Sequence, residues 1–231
     1  MERALCCSVV IPARDEAGAI GAVVAAARRI VDGEVVVVDN GSRDGTGAVA
    51  LAAGARVVRE TRRGYGFACL AGVAALPSAE VVVFVDGDGS MLPADIPLLV
   101  APIVDGAADV VCGSRVALGD AGSMPRHQAL GNRVALLLLR CLYGVRLTDL
   151  GPYRAVRGST LRALAMPGSR FAWPAQLLAR AARRGARIVE VDVGYRQRAA
   201  GRSKVSGSVR GSLEAGAGIV GTLLWQRITP R

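Results

Sequence analysis

Two aspartates, Asp86 and Asp88, follow directly on a short apolar run at residues 81–85, and Gly87 separates them. Four valines and a phenylalanine in succession are typical of a buried strand. In an open α/β sheet, ligands bind beyond the carboxyl ends of the strands. Two carboxylates beside glycines at such an end could hold Mg²⁺ or Mn²⁺, which would bridge two phosphates of a nucleoside diphosphate. The alternative for this stretch alone is a polar turn, because Asp-Gly is a common turn pair.

Polar side chains also follow three other predicted strands. These signatures are Pro-Ala-Arg-Asp-Glu at residues 12–16, Asp-Asn-Gly-Ser at 39–42 and Gly-Ser-Arg at 113–115. Because the carboxyl ends of parallel strands share one edge of a sheet, all four signatures should meet there. One polar strand end could arise by chance, whereas four together favour a nucleotide site.

The elements that must position these signatures alternate between strand and helix. Strands are predicted at residues 6–11, 34–38, 56–59, 80–85 and 109–112, and helices at 17–30, 44–53, 64–75 and 93–104. This alternation predicts an α/β fold with a doubly wound, mostly parallel and Rossmann-like sheet. Beyond residue 115 we expect a loop at 119–125, helices at 128–143, 173–184 and 209–227, strands within 149–157 and 186–195, and a basic loop at 197–208.

Composition restricts the partners and the compartment. The 231 residues suffice for one domain with a substantial core. The net charge of +10 indicates anionic partners such as nucleotide phosphates, a lipid phosphate, an acidic membrane surface or nucleic acid. Five cysteines without CxxC spacing and a single histidine disfavour a zinc site, and buried reduced thiols fit the cytosol. No stretch reaches the ~18–20 apolar residues of a membrane span. We therefore expect a cytoplasmic protein, with peripheral attachment to the inner face of the plasma membrane left open.

The four signatures belong to a longer series of motifs. The series comprises residues 12–16, 37–46, 64–66, 86–88, 113–115, 148–154, 195–198 and 201–204. In residue types and order it resembles the family 2 glycosyltransferases of the GT-A fold, of the dolichyl- or polyprenyl-phosphate sugar synthase type. The resemblance implies a single GT-A domain over residues 1–231, with a nucleotide-sugar-binding half at 1–115 and an acceptor-side half at 116–231 that ends in an amphipathic helix.

The same resemblance implies roles for individual residues. Asp86 and Asp88 would bind Mg²⁺ or Mn²⁺, which acts as a Lewis acid on the leaving diphosphate. Glu16 and Asp39 would hold the nucleoside, although Glu16 could equally be a helix N-terminal acid. The implied donor-binding set is Pro12, Arg14, Glu16, Asp39, Gly41, Ser42, Gly64, Asp86, Gly87, Asp88, Arg198 and Lys204, and the implied catalytic set is Asp149, Arg115 and Arg202.

The implied reaction is a single displacement that inverts the α-linked hexose of a UDP- or GDP-sugar, such as UDP-glucose or GDP-mannose. A polyprenyl phosphate acceptor already carries an anionic oxygen, whereas a hydroxyl on a small natural product or glycan would need a general base. Asp149 is the candidate base, and the alternative is a structural acid that caps a loop or pairs with Arg154. Arg115 would contact a phosphate of the donor or the acceptor.

The basic loop would clamp phosphate oxygens through Arg198, Arg202 and Lys204, because guanidinium groups suit such contacts. The alternatives are a solvated turn or a membrane-surface patch. The last helix has the pattern of an interfacial helix, but a core-packing or homodimer helix is equally compatible with it.

Three positions depart from the family pattern. Asn40 stands where a second Asp is frequent, Ser90 where Gln is common, and Gln176 where many relatives carry Glu. Ser90 could loosen the metal shell, and Gln176 removes a helix-borne base. The outside alternatives are a sugar-nucleotide nucleotidyltransferase, for which residues 12–16 lack the Gly-rich loop and lysine, and a basic binding protein. No nucleic-acid partner is expected.

Overall fold

One mixed sheet organises the protein. The computed structural model describes residues 7–116, 118, 126–198 and 209–228. Its strands are β1 (Cys7–Ala13), β2 (Val35–Asp39), β3 (Arg56–Arg59), β4 (Val81–Phe84), β5 (Val110–Ser114), β6 (Arg154–Arg157) and β7 (Ile188–Asp192). They lie in the order β3-β2-β1-β4-β6-β5-β7, and every pair is parallel except the two that β6 makes. The predicted mostly parallel α/β class is confirmed.

Helices cover both faces of this sheet. They are α1 (Ala17–Arg28), α2 (Thr46–Ala52), α3 (Tyr65–Ala74), α4 (Ile96–Val104, after a 3₁₀ turn at Pro93–Asp95), α5 (Arg126–Tyr143), α6 (Gly158–Ala163), α7 (Trp173–Arg183) and α8 (Val209–Ile228). The sequence patterns predict all of them except the short α6. Within the described ranges, no helix has the length and apolarity that crossing a bilayer would require.

The uninterrupted apolar runs follow from burial on both sides. In β4, Val81 and Val83 pack into one core with α1 and α4, while Val82 and Phe84 pack into a second core with α3 and α7. Side chains alternate between the two faces of a strand, so a strand covered on both faces must be apolar throughout. Strand β4 is therefore buried on both faces up to Val85, the residue before Asp86.

Strand β1 runs two residues further than predicted, because Pro12 does not end it. The Val10 carbonyl accepts from Val85 N–H, so residue 10 faces β4. Pro12 faces the same side two residues later, beyond the last β4 partner, Phe84. Its missing N–H therefore leaves no bond of the β1–β4 ladder unmade.

Strand β6 enters between β4 and β5 and runs antiparallel to both. Arg154, its first residue, lies opposite Phe84 near the carboxyl end of β4, so the chain re-enters the sheet at the edge where β4 and β5 end. The Arg154 side chain is buried and donates to the carbonyl groups of Gly151, Pro152 and Pro174. This buried cation ties the loop before β6 to the start of α7.

Helix α3 packs against β1 and β2 through Gly72. A Cβ at Gly72 would lie 2.3 Å from Cγ1 of Val10 and 3.1 Å from Cγ2 of Val38.

We expect Gly72→Ala to lower the free energy of unfolding by roughly 1–3 kcal/mol through overpacking. Gly131→Ala on α5 is the matched control, because no atom lies within 4 Å of its added Cβ. The control should be neutral or stabilising by up to ~1 kcal/mol. Chemical denaturation measures both, and equal changes would contradict the close approach.

Candidate active site

The four polar strand ends meet at one edge of the sheet. Ala13 at the end of β1 lies opposite Asp39 at the end of β2, and β4 ends alongside β1. Strand β5 points the same way as β4, because both are antiparallel to β6. The predicted convergence of the four signatures is therefore observed.

A cavity of about 230 Å³ opens at this edge. Its lining consists of Pro12, Ala13, Arg14, Glu16, Asn40, Arg63, Gly64, Tyr65, Ala68, Asp86, Gly87, Asp88, Arg170, Phe171 and Arg198. Eight members of the predicted donor-binding set are among these residues. Asp39, Gly41 and Ser42 are not part of this lining, although they adjoin the lining residue Asn40 in the sequence.

Asp88 is held in a fixed orientation. Its Oδ1 accepts hydrogen bonds from the backbone N–H of Ser90 at 2.9 Å and from the Ser90 hydroxyl at 2.6 Å, and the side chain is almost fully buried. Its Oδ2 lies 3.0 Å from Nη2 of Arg198. Ser90, at the position where relatives commonly carry Gln, therefore orients the second acid of the motif.

Arg198 joins two of the acids. Its Nη1 lies 3.3 Å from Oε1 of Glu16, so one guanidinium contacts both Glu16 and Asp88. Arg198 reaches the acids because the segment after β7 runs alongside the loop that follows β4. Tyr195 forms an isolated antiparallel bridge with Met91, and Arg196 N–H donates to the Ser90 carbonyl. The contacts of Arg198 with these two acids were not predicted, and its predicted contact with phosphate oxygens stays a prediction.

The environment of Asp86 disfavours its charged form. Burial raises its pKa to about 7, with a further contribution from the negative charge of Asp88, while Arg198 and Arg115 act in the opposite direction. A carboxylate that is destabilised by burial and by neighbouring acids gains from a cation. The donor set of Asp86 and Asp88 is chemically suited to Mg²⁺ or Mn²⁺, which prefer oxygen ligands.

These acids do not form a complete metal shell by themselves. Over residues 7–116, 118, 126–198 and 209–228 there is no group of three or more His, Cys, Asp or Glu side chains arranged to hold a metal ion. A cation held by Asp86 and Asp88 would therefore take its remaining ligands from water or from a bound anion. The geometry suits a metal that binds together with a diphosphate.

Arginines give the same cavity an anion-binding character. Arg14, Arg63, Arg170 and Arg198 all contribute to its lining. The Nε of Arg14 is buried and has no hydrogen-bond acceptor among the described residues. Arg63 and Arg170 were not predicted as site residues. Arg63 adjoins the recognised Gly64 motif, but Arg170 lies between α6 and α7 in a stretch that has no sequence signal.

The Gly64-Tyr65-Gly66 motif has a steric explanation. A Cβ at Gly64 would lie 2.7 Å from Cα of Arg170, and a Cβ at Gly66 would lie 2.6 Å from the carbonyl oxygen of Ser169. The N–H groups of Tyr65 and Gly66 donate to the carbonyls of Arg170 and Ser169. The two glycines allow this close approach, and the start of α3 thereby positions Arg170 at the cavity.

Asn40 and Asp39 stabilise the loops around the cavity. Nδ2 of Asn40 donates to the carbonyls of Glu60 and Arg62, and its Oδ1 accepts from Gly64 N–H. The amide is thus fully engaged, which an aspartate could not reproduce because it has no donor when ionised. Oδ1 of Asp39 accepts from Ser42 N–H at 2.8 Å. Its proposed contact with a nucleoside stays a prediction.

A second polar cluster lies on the β5 side of the edge. Asp149 is buried and binds Arg115 with both oxygens, at 2.6 Å to Nε and 2.8 Å to Nη2. Asn132 on α5 also donates to Asp149, and the Arg115 guanidinium lies 5.1 Å from the centre of the Tyr195 ring. The ion-pair partner of Asp149 is therefore Arg115 and not Arg154.

Some predicted residues fall outside the described ranges. They are Arg202 and Lys204 of the basic loop, and the predicted loop at residues 119–125. Their roles stay predictions.

The raised pKa of Asp86 predicts a pH-dependent stabilising substitution. The folded-state pKa near 7 exceeds the ordinary value of 3.8, so the wild type loses stability as pH rises from about 4 to 7. In the presence of a chelator, we expect Asp86→Asn to raise the free energy of unfolding by roughly 1–3 kcal/mol at pH 8 and to have little effect at pH 4. Denaturant titrations at both pH values measure the difference.

Asp105→Asn is the control for this measurement, because Asp105 is an exposed carboxylate at the end of α4. Its effect should be small at both pH values. A stabilisation by Asp86→Asn that is the same at pH 4 and pH 8 would contradict the electrostatic strain at this position.

Comparisons with known proteins agree with the geometry of this edge. An uncharacterised glycosyltransferase of Mycobacterium tuberculosis is 42% identical over 209 residues, which cover 90% of this chain and 93% of the relative. A dolichyl-phosphate hexose transferase of Haloferax volcanii is 38% identical over 224 residues, which cover 96% and 95%. The crystal structure of glucosyl-3-phosphoglycerate synthase from Mycobacterium tuberculosis in complex with Mn²⁺, UDP and phosphoglyceric acid matches with a TM-score of 0.76 and 28% identity, covering 100% of this chain and 80% of that one.

The family model described as glycosyl transferase family 2 matches residues 8–159, which is more than half of the chain. This match spans the acidic strand ends, the glycine motif and the Arg115–Asp149 pair. The sheet also agrees with the GT-A enzymes to which the chain is structurally similar. The protein therefore belongs to glycosyl transferase family 2 and has the GT-A fold.

Proposed function

We propose that this glycosyltransferase moves a hexose, with inversion, from a UDP- or GDP-sugar to a polyprenyl phosphate, in a reaction that depends on Mg²⁺ or Mn²⁺. The observation that carries the proposal is the convergence of Asp86, Asp88 and Arg198 in a cavity rich in arginine. The dolichyl-phosphate hexose transferase relative, similar over nearly the full length, supports the acceptor class. The Mn²⁺ and UDP in the similar crystal structure support the donor class.

The cavity at the ends of β1, β2 and β4 would bind the donor, with residues from both halves of the chain. Arg14, Arg63 and Arg170 surround the cavity and would pair with diphosphate oxygens, for which guanidinium groups are well suited. Glu16 and Asp39 would contact the base or ribose. Because strands β1, β2 and β4 fix these positions, the donor would meet a largely preformed site.

Asp86 and Asp88 would hold the divalent cation, which when bound neutralises charge on the leaving diphosphate. Ser90 keeps Asp88 in one orientation, so little side-chain freedom is lost on binding. Arg198 contacts Glu16 and Asp88 and would turn towards the diphosphate oxygens once a cation neutralises the acids. The same guanidinium would thus stabilise first the acids and then the leaving group.

The Arg115–Asp149 pair would define the acceptor side. Both oxygens of Asp149 are engaged by Arg115, which leaves this carboxylate poorly placed to take a proton. Arg115, held by Asp149 and by the Tyr195 ring, would contact the acceptor phosphate. An anionic phosphate oxygen can attack the anomeric carbon without a general base. Arg202 and Lys204 would complete the phosphate contacts.

A second candidate is the same transfer to a hydroxyl group of a small acceptor. The similarity to glucosyl-3-phosphoglycerate synthase, crystallised with phosphoglyceric acid, favours this candidate. A hydroxyl acceptor needs a base within hydrogen-bond reach. Gln176 on α7 is an amide and cannot serve, so Asp149 would have to leave Arg115. That requirement makes the lipid-phosphate acceptor the better supported of the two.

Binding of the cation and the nucleotide should be coupled, because the described acids supply only part of a metal shell. We expect isothermal titration to show weak binding of Mn²⁺ alone and at least ~10-fold tighter binding in the presence of the matching nucleotide, UDP or GDP. Asp88→Asn should abolish this gain, whereas the control Asp105→Asn should retain it. A gain that survives Asp88→Asn, or Mn²⁺ binding that no nucleotide strengthens, would remove the acidic pair from the metal site.

Transfer kinetics can separate the two roles of Asp149. A panel of UDP- and GDP-hexoses with a short-chain polyprenyl phosphate first identifies the donor. If Asp149 positions Arg115, then Asp149→Asn, Arg115→Ala and the double variant should lower kcat/KM by similar factors, roughly 10²-fold or more, with strong non-additivity. The pH profile should keep its shape in Asp149→Asn. Additive losses, or the loss of the acidic limb of that profile, would instead identify Asp149 as a general base, because a base must be deprotonated to act.

A further inference from the structure

An apolar stripe on α5 faces solvent. Leu130, Val134 and Leu137 are exposed by 63%, 41% and 59%, and Cys141, one turn further, is also exposed. Spacings of four, three and four residues place these side chains along one side of the helix. The opposite side of α5 packs into the core through Ala135 and Leu139. The helix is therefore apolar both on its buried side and along this outer stripe.

Helix α8 repeats the pattern beside α5. Leu224, Trp225 and Ile228 are exposed by 49%, 65% and 77%, while Leu223 is buried. The Tyr143 hydroxyl at the end of α5 donates to the Leu223 carbonyl, so the two helices are neighbours in one layer. Of the twelve large apolar side chains that are exposed in the described ranges, six lie on these two helices. Such a concentration indicates a binding surface.

The exposed part of the Arg115 segment has the same character. Val116 and Leu118 follow Arg115 in the chain and are exposed by 68% and 60%. Apolar side chains thus accompany the arginine that we assign to the acceptor phosphate. Arg115 itself remains mostly buried against Asp149.

The charges on α5 and α8 identify the kind of partner. The two helices contain five arginines and one acid, Glu214; the arginines are Arg126, Arg133, Arg140, Arg210 and Arg227. Arg133 and Arg140 flank the α5 stripe and are exposed, as is Arg227 beside the α8 stripe. Apolar side chains between arginines suit an anionic lipid surface. A second copy of the chain would bring like charges together, which disfavours self-association.

The inner side of α5 connects this surface to the active site. Asn132 accepts a hydrogen bond from Leu150 N–H and donates to Asp149, which binds Arg115. Asn132 lies between Leu130 and Val134 in the sequence. A surface that contacts the outer stripe would therefore lie about one helix diameter, ~10 Å, from the Arg115–Asp149 pair.

We propose that the outer faces of α5 and α8, together with Val116 and Leu118, form a docking surface for anionic membranes. Docking there would present the headgroup layer to Arg115, so that a lipid phosphate could reach the donor without leaving the bilayer. The inference rests on the proposed lipid-phosphate acceptor for its functional meaning. The docking itself can be measured without any transfer reaction.

Co-sedimentation with vesicles tests the surface. Phosphatidylcholine vesicles that contain phosphatidylglycerol should bind the protein, and pure phosphatidylcholine vesicles should bind it less. Leu137→Glu and Trp225→Glu should each weaken vesicle binding by ~10-fold or more. Each substitution removes apolar area that docking would bury, and each introduces a negative charge that the anionic lipid repels. Leu51→Glu on α2, where the leucine is 64% exposed, is the matched control and should bind as the wild type does. Equal weakening in all three variants would overturn the assignment of the surface.

Cys141 allows a direct measurement of insertion. Cys7, Cys69 and Cys112 are buried, so an environment-sensitive fluorophore should label Cys141 selectively in a Cys6→Ser background. We expect a blue-shifted emission when anionic vesicles are added and no shift with phosphatidylcholine alone. The exposure of Cys141 departs from the expectation of buried thiols. An emission unaffected by anionic vesicles would show that α5 does not enter the lipid.

Nucleotide binding distinguishes failure of the surface from failure of the proposed function. Leu137→Glu and Trp225→Glu should retain the wild-type affinity for Mn²⁺ and nucleotide. If the wild type binds Mn²⁺ and nucleotide but no anionic vesicle, the docking inference is wrong and the metal-dependent donor site stands. Sedimentation velocity tests whether a second copy of the chain occupies this surface instead. If the wild type is a dimer that Leu137→Glu dissociates, and the wild type binds no vesicles, the surface is a dimer interface and the docking proposal is wrong.

Discussion

The contact between the Arg198 guanidinium and the carboxylates of Glu16 and Asp88 is the interaction on which the active site depends. Strands β1 and β4 bring Glu16, Asp86 and Asp88 to one edge, where their negative charges repel each other. The pKa of Asp86 is raised because burial and the neighbouring acids outweigh the opposing charges of Arg198 and Arg115. Such a group of acids reduces the stability of the fold and gains most from a ligand that brings positive charge. A cation accompanied by a diphosphate meets that requirement, and the surrounding arginines would accept the phosphate charge.

The acceptor side follows a different electrostatic rule. Asp149 is buried and paired through both oxygens with Arg115, and Asn132 supplies a further donor. Removal of one partner from such a buried pair leaves an uncompensated charge, so the two residues act as a unit. The unit presents a guanidinium of fixed orientation rather than a free base. The β5 side of the edge is therefore suited by charge to hold an anion, whereas the acids that follow β4 are suited to hold a cation.

Much of this arrangement was predictable because it depends on local sequence. The alternation of elements and the carboxyl-edge rule were sufficient to bring Asp39, Asp86 and Arg115 to one edge. The direction and position of β6 were not predictable, because a four-residue strand of sequence Arg-Ala-Val-Arg carries no signal for the partners between which it inserts. Arg170 reaches the cavity through backbone contacts with Tyr65 and Gly66, and such contacts leave no pattern in the segment that makes them. Asn132 was missed for a similar reason, since a polar residue in an amphipathic helix usually faces solvent.

The two sides of α5 have different partners: the inner side holds the loop around Asp149, and the outer side would contact the proposed membrane surface. Its inner side carries Asn132, whose amide holds the loop at Asp149 and Leu150 in place. Its outer side carries Leu130 and Leu137, which are exposed to water. Full burial of such a side chain would contribute roughly 1.5–3 kcal/mol of hydrophobic free energy. A lipid surface would recover that free energy without any change in the inner contacts. The acceptor phosphate would then approach Arg115 from the side of the protein that exposes these apolar side chains. Membrane docking and acceptor binding would therefore both depend on α5.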